Sequence, residues 1–165
     1  MIVIKIKAPI ECLSEEIDRF VKLVGEAGQI ELSKQELKRR AARAELLAFF
    51  YETLDGLVGV GAIKVPKSTH RDEVFRKAKS ELESQSKLYE IELGWIAVRI
   101  GFQNKGIGRT IVSALLERVK GRKIYATTHD DNAGMIHLLQ CTLAFHQSGE
   151  PYKCRQKKCL LFVKN

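Results

Sequence analysis

Seven consecutive residues, Gln103-Asn104-Lys105-Gly106-Ile107-Gly108-Arg109, have the types and spacing to hold a phosphate group. Glycines at i and i+2 let the backbone approach a ligand with no Cβ in the way. If a helix opens here, its first amides have no partner inside the helix, and together with the positive end of the helix dipole they favour an anion. Lys105 and Arg109 add mobile charge. The run is not a P-loop, because no Gly-Lys-Ser/Thr follows four residues after a first glycine. Gly101, Gly106 and Gly108 are also wrongly spaced for the three-glycine dinucleotide fingerprint. A tight turn between a strand and a helix, holding nothing, has the same composition.

The elements needed to present such a turn are legible on both sides of it. Leu88 to Val98 is apolar, β-branched and aromatic enough for a strand. Ile107, Ile111, Val112, Leu115, Leu116 and Val119 repeat as one helix face, and Gly121 supplies a left-handed stop. Upstream, Ile2 to Lys7 alternates as a strand, and Ile17, Phe20, Val21 and Val24 form the apolar face of a helix that starts at Ser14 and ends near Gly25 to Gly28. Ser33-x-x-Glu36 is a capping box for a second helix, with Lys38, Arg39, Arg40 and Arg43 on its polar face. Leu46 to Glu52 and Leu57 to Lys64 form a hairpin through Asp55-Gly56. Pro66 ends it, and Thr69-x-x-Asp72 opens a third helix over roughly 69–86.

Downstream, Lys123 to Thr128 is a strand, and His129-Asp130-Asp131-Asn132 is a turn opening a helix that runs to Leu139 or Leu143. Phe145 to Ser148 and Cys159 to Val163 read as two strands around Gly149-Glu150-Pro151 and a basic loop. Alternating strands and helices in this order predict an α/β (α+β) fold with a mixed sheet. With no repeat, low-complexity run or linker, one domain over 1–165 is expected.

Gln103-x-x-Gly106-x-Gly108, five residues after a strand-ending Val98, resembles the acetyl-CoA pyrophosphate loop of the GNAT superfamily of N-acetyltransferases. The order of elements resembles that family too, with one extra helix inserted between the third and fourth strands. The resemblance is specific from about Glu90 to Phe145. It implies a mostly antiparallel sheet flanked by helices, acetyl-CoA as cosubstrate, and acetyl transfer to a primary amine by direct attack in a ternary complex. It implies that Gln103, Asn104, Lys105, Gly106, Ile107, Gly108 and Arg109 meet the pyrophosphate. Backbone groups around Val98 would pair with the pantetheine arm, and Asn132 would contact the cofactor.

Acetyl transfer needs a base to deprotonate the acceptor ammonium. Glu92, between Ile91 and Leu93 and close to Trp95, is the best candidate, since a carboxylate buried there is costly without a partner, an environment that suits a base working near neutrality. Relatives it resembles keep a glutamate eleven residues before the loop, as here. Glu90, two residues back and on the same strand face, is a second candidate acting through water. Both carboxylates are equally well explained as partners for the surplus of basic residues. The sequence departs from the family at the general acid. Where many members have a tyrosine five residues before a Gly-Phe pair, counting back from Ala144-Phe145 gives Gln140, and counting from Asn132 gives Leu139. Cys141 is adjacent but reads as helix packing, and spacing does not support Tyr125.

The net charge of +8 is uneven: residues 1–60 carry 9 Lys/Arg against 10 Asp/Glu, and residues 61–165 carry 19 against 10. The basic part contains the candidate phosphate loop, which suits an anionic ligand, although a solvated basic surface explains the charge equally well. A basic nucleic-acid-binding module is a second reading, weakened by only 7% aromatic residues, none interleaved as a stacking platform. A CoA-binding sensor or scaffold without catalysis is a third, permitted by the missing tyrosine. The acceptor would be chosen by Gly25 to Ser33, the insertion around Lys64 to Lys87 and the loop around Glu150 to Lys158. The last two favour an acidic or nucleic-acid-linked amine. Cys12, Cys141, Cys154 and Cys159 show no Cys-x-x-Cys pair and no His at metal-ligand spacing, so scattered reduced thiols and no metal are expected. No run spans a membrane and no signal-peptide pattern begins the chain, which points to the cytoplasm. A homodimer is compatible with the sequence.

Overall fold

The computed structural model describes residues 1–27 and 30–165. The strands are β1 (Ile2–Lys7), β2 (Leu46–Glu52), β3 (Gly56–Lys64), β4 (Ile91–Val98), β5 (Ile124–His129), β6 (His146–Cys154) and β7 (Lys157–Lys164). The helices are α1 (Ser14–Ala27), α2 (Lys34–Ala41), α3 (Ser68–Lys77), α4 (Ile107–Arg118) and α5 (Ala133–His137). The strands make a seven-stranded mixed sheet in the order β1-β2-β3-β4-β5-β7-β6. Parallel pairing joins β4 to β5, while β1/β2, β2/β3, β5/β7 and β6/β7 are antiparallel. The element order is the expected one, extra helix included. The expected end of the first helix reaches Gly28, and the segment from Gly25 to Ser33 includes it, but Gly28 lies outside the described residues.

Two compact units make up the chain: Met1–Lys64 with Gly94–Lys120, and Val65–Leu93 with Gly121–Asn165. In the first, the apolar stripe of α1 buries Ile17, Phe20, Val21 and Val24 in a core with Leu47, Phe49 and Val60. Phe20 meets the Phe49 ring edge-on at 5.8 Å and Trp95 at 6.3 Å. Each such side chain removed from water stabilises the fold by about 1.5–3 kcal/mol. Ser33 caps α2, its Oγ accepting from the Glu36 amide (3.1 Å). Lys38, Arg39 and Arg40 are matched by acids on the same unit: Lys38 meets Asp18 at 2.6 Å, and Arg39 and Arg40 meet Glu36 at 2.7 and 2.8 Å. The two guanidinium groups hold the Glu36 carboxyl down at about 2. Glycines seat α4 on β3. A Cβ at Gly59 would stand 2.8 Å from Ile107 and from Ile111, and one at Gly61 would stand 2.7 Å from Ile111 and from Ile96.

The second unit has its own core of Val74, Phe75, Tyr89, Tyr125, Leu161 and Val163. Here the third helix is shorter than expected. It ends at Lys77, Lys79 turns left-handed (φ 49°), and a 3-10 turn follows over Glu83–Leu88. Asp72 does not cap it, because its carboxylate is taken by Arg71 (3.0 Å) and Ser86 (2.7 Å). The same 3-10 turn occupies Leu88, so β4 starts at Ile91 rather than Leu88.

The last hairpin is also corrected. Gly149-Glu150-Pro151 is not a loop but a register shift between Ser148 and Tyr152 inside β6, and the connection to β7 is only Arg155-Gln156. Gly149, at φ 72°, lies so close to the Ala78 carbonyl that a Cβ would collide with it, and Glu150 donates its amide to the same oxygen (2.7 Å). That antiparallel hairpin also overturns the expectation of four reduced thiols. It brings Cys154 and Cys159 to a Cα separation of 5.9 Å, where they form a disulfide that their sequence spacing did not announce. Cys12 and Cys141 are free thiols.

Candidate active site

The phosphate-type turn lies in the first unit, between the end of β4 and α4. Asn104 (φ 62°) and Gly106 (φ 80°) are both left-handed, and Gly106 is the N-cap of α4. Space around Gly106 is open: among the described residues, and its two chain neighbours apart, no atom lies within 4 Å of where a Cβ would stand. Thr110 is the residue whose amide bonds back to the Gly106 carbonyl (3.0 Å), so the amides of Ile107, Gly108 and Arg109 lead the helix. Gln103, Asn104, Lys105, Gly106 and Arg109 are exposed, and Ile107 is buried as the anchor. Gln103 Nε2 donates to the Val98 carbonyl (3.2 Å), bracing the turn against the strand end. The cations of Arg99 and Lys105 lie 4.7 and 5.1 Å from the Phe102 ring, which holds positive charge beside the turn.

The carboxylate lies in the second unit. Glu92 is only 4% exposed. The β4/β5 register sets it opposite Tyr125, whose phenol donates to Glu92 Oε2 (3.3 Å). Burial, then the Glu92 charge, pushes the Tyr125 phenol well above the usual tyrosine range, with the hydrogen bond adding to the effect. Burial and the same charge push up Tyr152. Both phenols therefore stay protonated, and Tyr125 serves as a donor to the carboxylate. Glu90 is placed differently, exposed and one residue ahead of β4.

Asn132 is the N-cap of α5, its Oδ1 accepting from the Met135 amide (3.2 Å). After five residues α5 widens into a π-type turn over Leu138–Thr142. Leu139 is buried, Gln140 exposed, and Cys141 exposed rather than packed, so this stretch offers no tyrosine acid. Ala144 takes the left-handed conformation (φ 57°) that favours glycine, and the Phe145 amide closes onto the Leu139 carbonyl (2.9 Å), one residue wider than the closure of an ordinary α-helix end because the last turn is π-type.

Two features were not read from the sequence. Trp95 is left-handed (φ 53°) within β4, and the Lys64 side chain crosses Gly94, where a Cβ would stand 2.7 Å from Lys64 Cε. Lys64 Nζ then lies 5.0 Å from the Trp95 ring centre. A glycine inside a strand is the local signal for such a bend and close approach. The role of Tyr125 had no local signal, because it arises from pairing between strands 33 residues apart.

Comparison with known proteins bears on this geometry. Residues 12–145 match the Acetyltransferase (GNAT) family. No curated protein matches the sequence. Among solved structures, the ribosomal-protein-S18-alanine N-acetyltransferase of Escherichia coli is similar at a TM-score of 0.68 and 14% identity, over 98% of this chain and 92% of that one. Arabidopsis thaliana NAA60, in complex with acetyl-CoA, is similar at 0.68 and 14%, over 98% and 99%. Salmonella typhimurium yncA, with its cofactor acetyl-CoA, is similar at 0.64 and 15%, over 100% and 94%. At these identities the structures support the fold, and the sequence match supplies the affiliation: this chain belongs to the GNAT family of acetyltransferases.

Proposed function

We propose that the protein transfers an acetyl group from acetyl-CoA to a primary amine by direct attack in a ternary complex, with Glu92 as general base. The observation that carries this reading is the left-handed Gly106 cap with three amides leading α4, a cradle with open space where a side chain would stand. The residues present suit a pyrophosphate: Lys105 to Arg109 offer backbone amides, and Lys105 and Arg109 offer charge. Gln103 acts as a brace to Val98 rather than as a reaching ligand. With Asn132 Oδ1 engaged in capping, a cofactor contact from that residue falls to its amide nitrogen.

Bound acetyl-CoA supplies a thioester carbonyl carbon for attack. Glu92 takes the proton of the acceptor ammonium, directly or through water, so that the amine lone pair can form the C–N bond. Tyr125, protonated, holds the carboxylate in place. The leaving sulfur takes its proton from solvent or from the nitrogen. The acceptor class this reading favours is an acidic or nucleic-acid-linked amine, on the strength of Lys153, Arg155, Lys157 and Lys158 along the β6–β7 hairpin.

A thermal-shift series with acetyl-CoA, CoA and ADP tests the cradle, because a ligand that binds only the folded state raises the midpoint. Stabilisation is expected in wild type and lost in a folded Gly106→Glu variant, and no shift at millimolar ligand overturns the reading. With an amine acceptor found by screening, Glu92→Gln is expected to slow turnover by about 10²–10⁴-fold while leaving the acetyl-CoA shift intact. Binding with no turnover on any amine would instead favour a sensor.

A further inference from the structure

The second unit brings together three residues that are scattered in sequence. His129 ends β5 directly opposite Cys159 in the β5/β7 ladder, and Cys154, on the neighbouring β6, is bonded to Cys159. The donor atoms of His129, Cys154 and Cys159 lie within 4.8 Å of one another, with His129 Nδ1 4.0 Å from Cys159 Sγ. We propose that His129, Cys154 and Cys159 form a thiol-gated site for a zinc-class cation, closed while Cys154 and Cys159 are a disulfide and open once that bond is reduced.

Three observations carry this. The first is distance: a tetrahedral zinc with S and N ligands needs S···S of roughly 3.8 Å and S···N of roughly 3.6 Å. Once the S–S bond is cut the two sulfurs must part by about 2 Å, and the imidazole, whose Nδ1 is 4.0 Å from Cys159 Sγ in a donor set that spans 4.8 Å, must close by about 1 Å or less, both within reach of side-chain rotation. The second is rigidity. The Asp130 amide bonds to the Lys158 carbonyl (3.0 Å), the Asn132 amide to the His129 carbonyl (3.1 Å), and Lys157 pairs with Asp131 (3.3 Å), so the strand end and the hairpin are tied together whatever the state of the sulfurs. The third is redundancy. The disulfide closes a hairpin already in register at Tyr152↔Cys159, Lys153↔Lys158 and Cys154↔Lys157, so it removes little chain entropy that the ladder has not already removed. Two thiolates and one neutral imidazole match a divalent soft cation in charge and donor type, and three protein ligands leave a fourth position for water or an outside ligand.

The opening step is a two-electron reduction. A dithiol reductant gives two electrons and two protons, the S–S bond becomes two thiols, and the reductant becomes a disulfide. Zinc then binds as both thiols release their protons to solvent.

The experiment uses full-length protein reduced anaerobically with a phosphine, which takes oxygen from water to become the phosphine oxide while the two sulfurs receive protons. After the phosphine is removed, Co²⁺ is titrated and followed by its tetrahedral ligand-field bands and thiolate-to-cobalt charge transfer, and Zn²⁺ is then competed against a chromophoric chelator. Reduced wild type is expected to bind one ion per chain with both spectral features, and oxidised wild type, a control that needs no substitution, to bind none. Cys154→Ser, Cys159→Ser and His129→Ala should each weaken binding by about 100-fold or more, while Cys12→Ser/Cys141→Ser leaves it unchanged. Absence of the thiolate band in reduced wild type overturns the proposal. So does binding that survives Cys154→Ser/Cys159→Ser, or loss of the native circular dichroism on reduction even with Zn²⁺ present.

Discussion

The phenol of Tyr125 donates to the Glu92 carboxylate at 3.3 Å inside a core where the Phe75 ring meets the Tyr125 ring edge-on at 5.6 Å. Burial, then the Glu92 charge, raises the Tyr125 phenol above its ordinary 10.0, and the same two causes raise Tyr152. Each folded-state value exceeds the unfolded one, so the linked stability is fully present below about pH 10 and is lost as pH rises toward the folded value. Unfolding free energy is therefore expected to fall above about pH 10 by about 1.4 kcal/mol per pH unit for each phenol. Urea midpoints between about pH 9 and 11.5 check this. Tyr125→Phe/Tyr152→Phe should flatten the decline relative to wild type, and an unchanged slope would show that these phenols are not the groups responsible. At this scale the sequence was half legible. The burial of Glu92 could be read from Ile91 and Leu93 on either side, and a helix opening from the turn His129-Asp130-Asp131-Asn132 was expected. Tyr125 as partner, and Cys159 beside His129, depend on strand registers that no local pattern encodes.

The π-type turn over Leu138–Thr142 ends at Ala144, an L residue held at φ 57°. Such a conformation costs an ordinary residue about 1–2 kcal/mol, and glycine escapes most of that while adding some unfolded-state entropy. Ala144→Gly is accordingly expected to raise stability by about 0.5–1 kcal/mol, read as a higher urea midpoint at unchanged m. A lower midpoint would mean that the Ala144 methyl packs usefully. The start of α4 makes the opposite case. The nearest atom to a Cβ at Gly59 includes the Ile107 Cγ2 methyl, which is fixed close to its own backbone and cannot swing aside. Gly59→Val should cost about 1–3 kcal/mol and also reduce the stabilisation by acetyl-CoA, because it pushes on the first residue of the helix that forms the cradle. A variant that is destabilised but binds acetyl-CoA at wild-type strength would separate helix seating from the site. Elements with strong period and clear stops, such as α1, α4 and the β2–β3 hairpin, matched their sequence signals. Those that missed did so where a tertiary contact outweighed a local signal: Asp72 went to Ser86 instead of capping α3, and the Ala78 carbonyl drew Gly149-Glu150 into a bulge where a loop was expected.

Charge is the property of the whole molecule that decides between an anionic cofactor and a nucleic acid. The net charge is +8, yet the most conspicuous basic run, Lys38-Arg39-Arg40, is paired with Asp18 and Glu36, and on α3 Arg76 and Lys77 pair with Glu73. Much of the positive surface is thus compensated locally, and a stripe able to track a phosphate backbone is not what these clusters provide. A pyrophosphate held by backbone amides at the head of α4 depends mainly on fixed dipoles at short range, with Lys105 and Arg109 contributing a screened part. Acetyl-CoA affinity, measured by calorimetry from about 50 to 200 mM KCl, is therefore expected to weaken by less than about 10-fold. A protein that neutralised six to ten phosphates of a duplex would lose about 10³–10⁵ over the same range. If acetyl-CoA binding collapsed as steeply as that, mobile side-chain charge rather than the helix amides would be holding the ligand, and the role given to the Gly106 turn would fail. If instead an RNA or DNA duplex bound tightly with the steep slope while acetyl-CoA followed the shallow one, the two surfaces would be separate, and the acceptor would be an amine carried on nucleic acid.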